Sequence, residues 1–408
     1  MTSWQTIKLS DVAQTNISTY SISENWEFVN YLDTGNIIEN SITAIQKIPL
    51  AQGEKLPSRA RRKVETGDII YSTVRPNQLH YGFIENPPEN FLVSTGFTVI
   101  HPNKSKIDGK FLYYLLVQKE ITNKLHAIAE QSTSTYPAIK PSDIENLNFT
   151  IPAIVDEQKK ISAILSAIDK KIKLNAQINH NLEEPAKAIF KSWFVDFSAL
   201  GEYELCDING IQIPVGWEIS SLSNIADYLN GLAMQKYRPE ENDPGYPVLK
   251  IKELRQGMCD QESERCSSSI KPEYIVHDGD VVFSWSGSLL VDFWCGGDCG
   301  LNQHLFKVTS LTFDKWFYYS WTQHHLNEFV AIAADKATTM GHIKRENLQA
   351  ATVLIPPSDI YKEIGRVLEP IYEAIIRNRV EAKKLVQLRN ALLPKLMSGE
   401  LDVSEVDV

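Results

Sequence analysis

The sequence predicts two tandem α/β (α+β) modules joined by two long antiparallel coiled-coil helices, and three observations carry that prediction. Short marks recur in one order about two hundred residues apart: Lys8-Leu9-Ser10-Asp11-Val12-Ala13 after Trp4 returns as Ser221-Leu222-Ser223-Asn224-Ile225-Ala226 after Trp217, an offset of 213. Gly67-Asp68-Ile69-Ile70-Tyr71-Ser72 returns as Gly279-Asp280-Val281-Val282-Phe283-Ser284, offset 212, and Ile139-Lys140 with Ile151-Pro152 returns as Ile343-Lys344 with Ile355-Pro356, offset 204. The second observation is that each copy then changes to a helical period. The third is that the stretches between the marks differ from copy to copy, so one frame carries two unlike surfaces.

The elements follow in chain order. Residues 1–152 form the first module and 153–200 a central helical connector. Residues 201–356 form the second module, and 357–408 a C-terminal helical region pairing with the central one. Ile161, Leu165, Ile168, Ile172, Asn175, Asn179, Leu182 and Ile189 follow a 4,3 spacing, the seam of a coiled coil. Ile364, Leu368, Ile371, Ile375, Asn378, Ala382, Leu385, Leu392 and Leu396 repeat it, with Asn175 matching Asn378 at offset 203. An Asn in a seam costs stability and fixes register and partner, so each seam is expected to find its mate in the other copy.

Asp156 and Glu157 place negative charge where a helix dipole favours it. Interior proline breaks or kinks a helix. Pro185 is therefore expected to end the first helix and Pro370 to stand in the first turn of the second, giving segments near 157–184 and 371–396. The first would run about 42 Å.

Composition sets limits. A chain of 408 residues allows two to three domains, and 43% hydrophobic content suffices for each module to bury a core. No window approaches a membrane span of roughly 18 apolar residues. Met1-Thr2-Ser3-Trp4-Gln5 has neither the basic nor the apolar region of a signal peptide. A cytoplasmic chain without membrane contact is expected, and five cysteines, an odd number, suit reduced thiols.

The net charge of −10 counts mildly against nucleic acid, whose phosphates take Lys and Arg. Local placement matters more. Lys55, Arg59, Arg61, Arg62 and Lys63 form a basic run with no acid inside it, a phosphate-binding stretch or a solvated loop.

Signals for chemistry are weak. Asn86-Pro87-Pro88-Glu89 resembles the Asn-Pro-Pro-aromatic motif of amino-methyltransferases, but Glu89 replaces the aromatic and two prolines favour a turn. Glu157-Gln158-Lys159 fits Glu-x-Lys nuclease sites but lies at a helix start. Cys259, Cys266, Cys295 and Cys299 could supply four thiolates to zinc, yet their spacings are looser than a zinc knuckle, and no metal site is expected. No catalytic residue is assigned. Trp316, Phe317, Tyr318, Tyr319 and Trp321, matching Phe111, Tyr113 and Tyr114, read as a repeated core helix.

Three strings carry a family resemblance over essentially the whole length. They are Ile151-Pro152-Ala153-Ile154-Val155-Asp156-Glu157-Gln158-Lys159-Lys160-Ile161, Ala188-Ile189-Phe190-Lys191-Ser192-Trp193-Phe194-Val195-Asp196-Phe197 and Leu388-Arg389-Asn390-Ala391-Leu392-Leu393-Pro394-Lys395-Leu396-Met397-Ser398-Gly399-Glu400. With them the chain resembles the specificity subunits of type I restriction-modification enzymes. The resemblance implies two target-recognition domains, each reading half of a split double-stranded DNA sequence. It also implies helical regions that bind two modification (methyltransferase) subunits and the restriction (translocase and endonuclease) subunits. No cofactor is then expected on this chain; S-adenosylmethionine, magnesium and ATP would belong to the partners. A self-contained methyltransferase or nuclease, and a coiled-coil adaptor without a DNA role, are the alternatives.

The variable stretches beside the shared marks are the candidate reading loops. In the first copy they hold Ser72, Thr73, Arg75, Asn77 and Gln78, then Ser94 and Thr95, then Ser134, Thr135 and Tyr136, beside the basic Arg59, Arg61, Arg62 and Lys63. In the second they hold Ser284, Trp285 and Ser286, then Gln303 and His304, then Lys336, Thr338, Thr339 and His342. Arg pairs guanine, Asn and Gln pair adenine, and hydroxyls take phosphate or either base class. Leu165, Ile168, Ile172, Asn175, Ile371, Ile375, Asn378 and Leu385 are the seam and partner-docking candidates.

Overall fold

A computed structural model describes residues 3–50, 54–132, 136–335 and 341–406. The chain divides into two compact units, one of Met1–Lys170 with Gln387–Val408 and one of Lys171–Val386, and the division falls inside both long helices.

In the first unit, Trp4–Lys8 pairs antiparallel with Asn148–Pro152, so the two ends of the module close on each other. Between them lie two four-stranded sheets. One runs Ala13–Thr15, Phe97–Pro102, Ile69–Ser72, Tyr81–Phe83; the other runs Gln46–Pro49, Phe28–Leu32, Phe91–Ser94, Ala60–Lys63. In the second sheet Phe28–Leu32 and Phe91–Ser94 are parallel while the outer pairs are antiparallel.

The second unit repeats this plan. Glu218–Ser221 pairs antiparallel with Thr352–Ile355. One sheet runs Asp227–Asn230, Leu305–Thr309, Val281–Ser284, Leu290–Phe293, and the other Arg265–Cys266, Tyr246–Leu249, Cys299–Leu301, Ile275–Val276. Again its two inner strands are parallel. The repeated sequence marks are repeated hydrogen bonds. Asp68 accepts from Glu65 N at 2.7 Å as Asp280 accepts from His277 N at 2.8 Å. Lys140 N donates to Asp143 at 2.7 Å as Lys344 N donates to Asn347 at 2.9 Å, each opening a short helix.

The cores follow from the same pattern. Phe111, Leu112, Leu115 and Leu116 on one helix meet Leu9, Ile69 and Ile151 in the first unit, together with Ile161 and Leu165 of the central helix and Leu396 and Met397 of the C-terminal one. In the second unit Trp316, Phe317 and Trp321 meet Phe283, Phe306 and Val353, with Ala186, Phe190 and Phe194 of the central helix and Ile364, Leu368 and Ile375 of the other. The repeated aromatic helix is therefore core, as its matching position in both copies predicted.

The long helices correct one expectation. They span Val155–Phe194 and Ser358–Met397, 40 residues each, and pass through Pro185 and Pro370 without ending. Each is thus about 60 Å long. An interior proline costs about 3 kcal/mol through a lost hydrogen bond and a ring clash. Here both prolines are solvent-exposed, while apolar and amide side chains pack on either side of each in sequence, so tertiary burial outweighs the local cost. Pro370 stands well inside its helix; Asp359 occupies the first turn instead.

Within the second unit the two helices run antiparallel, since Lys171 and Asn175 meet Glu381 while Asn179 meets Ile375. Leu165, Asn175 and Ile375 are buried, and Ile168, Ile172, Ile371, Asn378 and Leu385 are half-buried. No helix among the described residues is long and apolar enough to cross a membrane.

Candidate nucleic-acid interface

In each unit the three variable stretches come together, because main-chain hydrogen bonds tie them. In the first unit the strand Ile69–Ser72 ends in a turn held by Ser72, whose Oγ donates to Val74 O at 2.9 Å. Thr73 then donates from both N and Oγ1 to Gly96 O, at 2.8 and 2.9 Å, joining the first stretch to the second. Arg75 N donates to Pro137 O at 2.9 Å and Ile139 N to Thr73 O at 2.8 Å, joining it to the third.

The basic run enters through Thr95 N, which donates to Arg59 O at 2.8 Å. Arg59 is exposed, and Arg61 is half-buried. Lys63 is ion-paired with Glu24 and lies 5.3 Å over the Trp26 ring, so its charge is largely spent within the fold. Arg62 sits on the same strand with its Nε buried, and burial pushes its guanidinium below the ordinary arginine value. Of the four, Arg59 is the one most open to a phosphate.

Side chains divide by exposure. Ser72 and Ser94 are buried, and Ser94 Oγ accepts from Gly96 N at 3.3 Å, so both hydroxyls shape loops. Arg75, Asn77, Gln78, Thr95 and Tyr136 are exposed, with Asn77 and Gln78 in the short turn Pro76–Gln78. Thr73 is half-buried. Ser134 and Thr135 lie outside the described residues.

One group at this surface had no sequence signal. Tyr31 donates to Asp33 at 2.9 Å. Burial works against the Asp33 carboxylate, yet hydrogen bonds from Tyr31, Thr34 N and Ser94, with Arg59 nearby, hold it below the usual range. This carboxylate sets a negative charge beside Arg59.

The second unit repeats the ties with other side chains. Ser284 Oγ donates to Ser286 O at 3.2 Å, Trp285 N to His304 O at 3.4 Å, Ile343 N to Trp285 O at 3.0 Å and Gly287 N to Gly341 O at 2.8 Å. Thus Trp285 stands where Thr73 stands in the first unit. Its indole donates to Asn230 Oδ1 at 2.9 Å and lies near the rings of His304 and His342, at 6.1 and 6.3 Å. His304 Nδ1 meets Ser286 Oγ at 3.0 Å, and Gln303 Nε2 meets His304 Nε2 at 3.3 Å.

His304 is thus held through both ring nitrogens, between Ser286 and Gln303. Ser284 and Ser286 are buried, Trp285, Gln303 and His304 half-buried and His342 exposed. Lys336, Thr338 and Thr339 lie outside the described residues. Asn230, which fixes the indole, and Arg255, bonded to Ser288, were not legible in the sequence; both act across long separations.

The sites set aside for chemistry are occupied structurally. Asn86-Pro87-Pro88-Glu89 falls between strands, where Glu89 O accepts from Asn30 Nδ2 at 2.7 Å. Cys259 and Cys299 approach to 3.5 Å, but Cys266 bonds toward Tyr246 O and Cys295 toward Ile376 O. No group of three metal-binding side chains forms among the described residues.

Comparison with known proteins adds to this geometry. Residues 1–184 and 214–385 match the model of the type I restriction modification DNA specificity domain. The specificity subunit of the type I restriction enzyme HindI of Haemophilus influenzae is 25% identical over 98% of this chain and 100% of its own length. The MjaIX specificity subunit of Methanocaldococcus jannaschii is 26% identical over 99% of this chain and 94% of its own. Among solved structures, the type I restriction-modification S subunit from M. genitalium superposes with a TM-score of 0.62 at 12% identity, covering 97% of this chain and 96% of that one, which speaks to the fold.

Proposed function

Because the chain belongs to the family of type I restriction modification DNA specificity domains, we propose that it is the noncatalytic subunit that reads a bipartite DNA target for a modification and restriction complex. Each loop cluster reads one half-site. The paired helices present the docking surface for two modification subunits, to which the restriction subunits add. S-adenosylmethionine, magnesium and ATP are bound by those partners, and this chain contributes recognition.

One observation carries the reading: a frame duplicated down to its loop-tying hydrogen bonds displays guanidinium and hydroxyl groups in one unit and indole and imidazole groups in the other. An adaptor without a DNA role would account for the helices but not for two matched clusters with unlike side chains. A self-contained amino-methyltransferase would require the aromatic that Glu89 replaces.

The negative net charge bears on affinity. Phosphate neutralisation supplies most nonspecific binding, and at −10 overall the chain alone is expected to bind duplex weakly. A mobility-shift assay with the natural duplex target, run with and without the modification subunit, tests this. Sequence-selective binding that strengthens with the subunit supports the reading, and equal binding to every duplex in both arms contradicts it.

A further inference from the structure

Arg75 occupies a backbone position that its counterpart in the second unit fills with glycine. The match is set by contacts: Arg75 N donates to Pro137 O as Gly287 N donates to Gly341 O, and Val74 bridges Ala138 as Ser286 bridges His342. Both residues are left-handed, with φ of 49° at Arg75 and 65° at Gly287. In that region a Cβ crowds the following carbonyl, and glycine is the residue that escapes the penalty. The second unit solves the turn without strain; the first accepts strain and carries an arginine.

Arg75 is exposed, and among the described residues its guanidinium pairs with no acid; it lies 5.1 Å from the centroid of the Tyr136 ring. Backbone outliers of this kind concentrate at functional sites. A ring beside a guanidinium restricts its orientations, and on this exposed side chain the fork of N–H donors stays open to a partner.

We propose that Arg75 is a specificity-determining residue that reads a guanine in the half-site addressed by the first unit, with Tyr136 as its positioning residue. The inference rests on the proposed reading of DNA by the loop clusters. The fork matches O6 and N7 of guanine in the major groove. A phosphate also accepts such a fork, but it can be approached from many directions and gains little from a ring that fixes the plane. A base edge requires that plane.

The test uses the full chain with its modification subunit, selection from a randomised duplex pool followed by sequencing, and thermal melting of the chain. Arg75→Gly should melt at the same or a higher temperature, because it installs the residue the second unit uses. It should also lose preference for guanine at one position of one half-site, by on the order of tenfold to a hundredfold, with the other positions kept. Arg75→Lys should keep overall affinity and lose the same preference. A motif unchanged in both variants, or binding by Arg75→Gly that weakens equally on all sequences, would overturn the proposal in favour of a phosphate contact or none. Failure of the unaltered complex to enrich any motif would instead overturn the reading of the chain as a DNA reader.

Discussion

Asn378 on the C-terminal helix donates from Nδ2 to Oδ1 of Asn179 on the central helix at 2.9 Å, and Asn179 returns a bond of 3.1 Å to Ile375 O. One turn away, Asn175 donates to Glu381 at 2.7 Å, and Lys171 pairs with the same carboxylate at 3.3 Å. A two-helix seam of this kind is stabilised by its apolar positions and placed in register by its polar ones.

Asn378→Ala should therefore destabilise by about 1–3 kcal/mol, because it leaves the nearly buried Oδ1 of Asn179 without a donor. Replacing Asn179 and Asn378 together by alanine should cost less than the sum of the two single alanine replacements, since both polar partners leave at once. Denaturant titration of the single and double variants measures the coupling, and strictly additive losses would show that the bond sets nothing.

The basic run predicts unequal roles for its members. Arg59→Ala should weaken binding to every duplex and flatten the salt dependence by about 0.9 log unit for one lost phosphate contact. Lys63→Ala should leave the salt slope nearly unchanged, because its charge already faces Glu24. That ion pair also fixes a pH dependence: chiefly through the Lys63 hydrogen bond, the Glu24 carboxyl titrates below its ordinary 4.5. A carboxyl depressed on folding contributes stability above its unfolded value and loses it as pH falls through the folded one. Stability curves of the parent and Lys63→Ala should accordingly differ near neutrality and converge in acid.

How much of this was legible in the sequence depends on the range of the interaction. The seam asparagines were readable because the repeat placed them at a matching offset, whereas the closing strands carried repeated marks but no sign of pairing with each other. The loop positions were readable from the repeat, but their convergence was not, because the hydrogen bonds that tie them join residues far apart in the chain. The helix ends were not, since Pro185 and Pro370 announce a local break while the packing that overrides it comes from distant residues. Nor did the sequence show that Ser72 and Ser94 turn inward, that Glu24 holds Lys63, or that Asn230 fixes Trp285 across 55 positions, because none of these leaves a periodic trace.

The thiols offer a check on the second unit's packing. Cys259 is half-buried, and the hydrogen bond with Cys299 pulls its thiol below the ordinary value, whereas burial pushes Cys295 up to about 11. The thiolate is the reactive form. Alkylation of the folded chain at pH 8, followed by mass spectrometry, should modify Cys259 well before Cys295. The reverse order would contradict the packing of the strand that carries Cys299 into the Asn302-Gln303-His304 loop.

The central claim is that two matched loop clusters read two halves of one target independently. Exchanging residues 1–152 for those of a relative with a different target, and mapping methylated sites in cells that also hold the modification and restriction subunits, tests it most directly. The account predicts a hybrid sequence in which one half-site takes the relative's bases and the other is unchanged. Both halves changing together would contradict it.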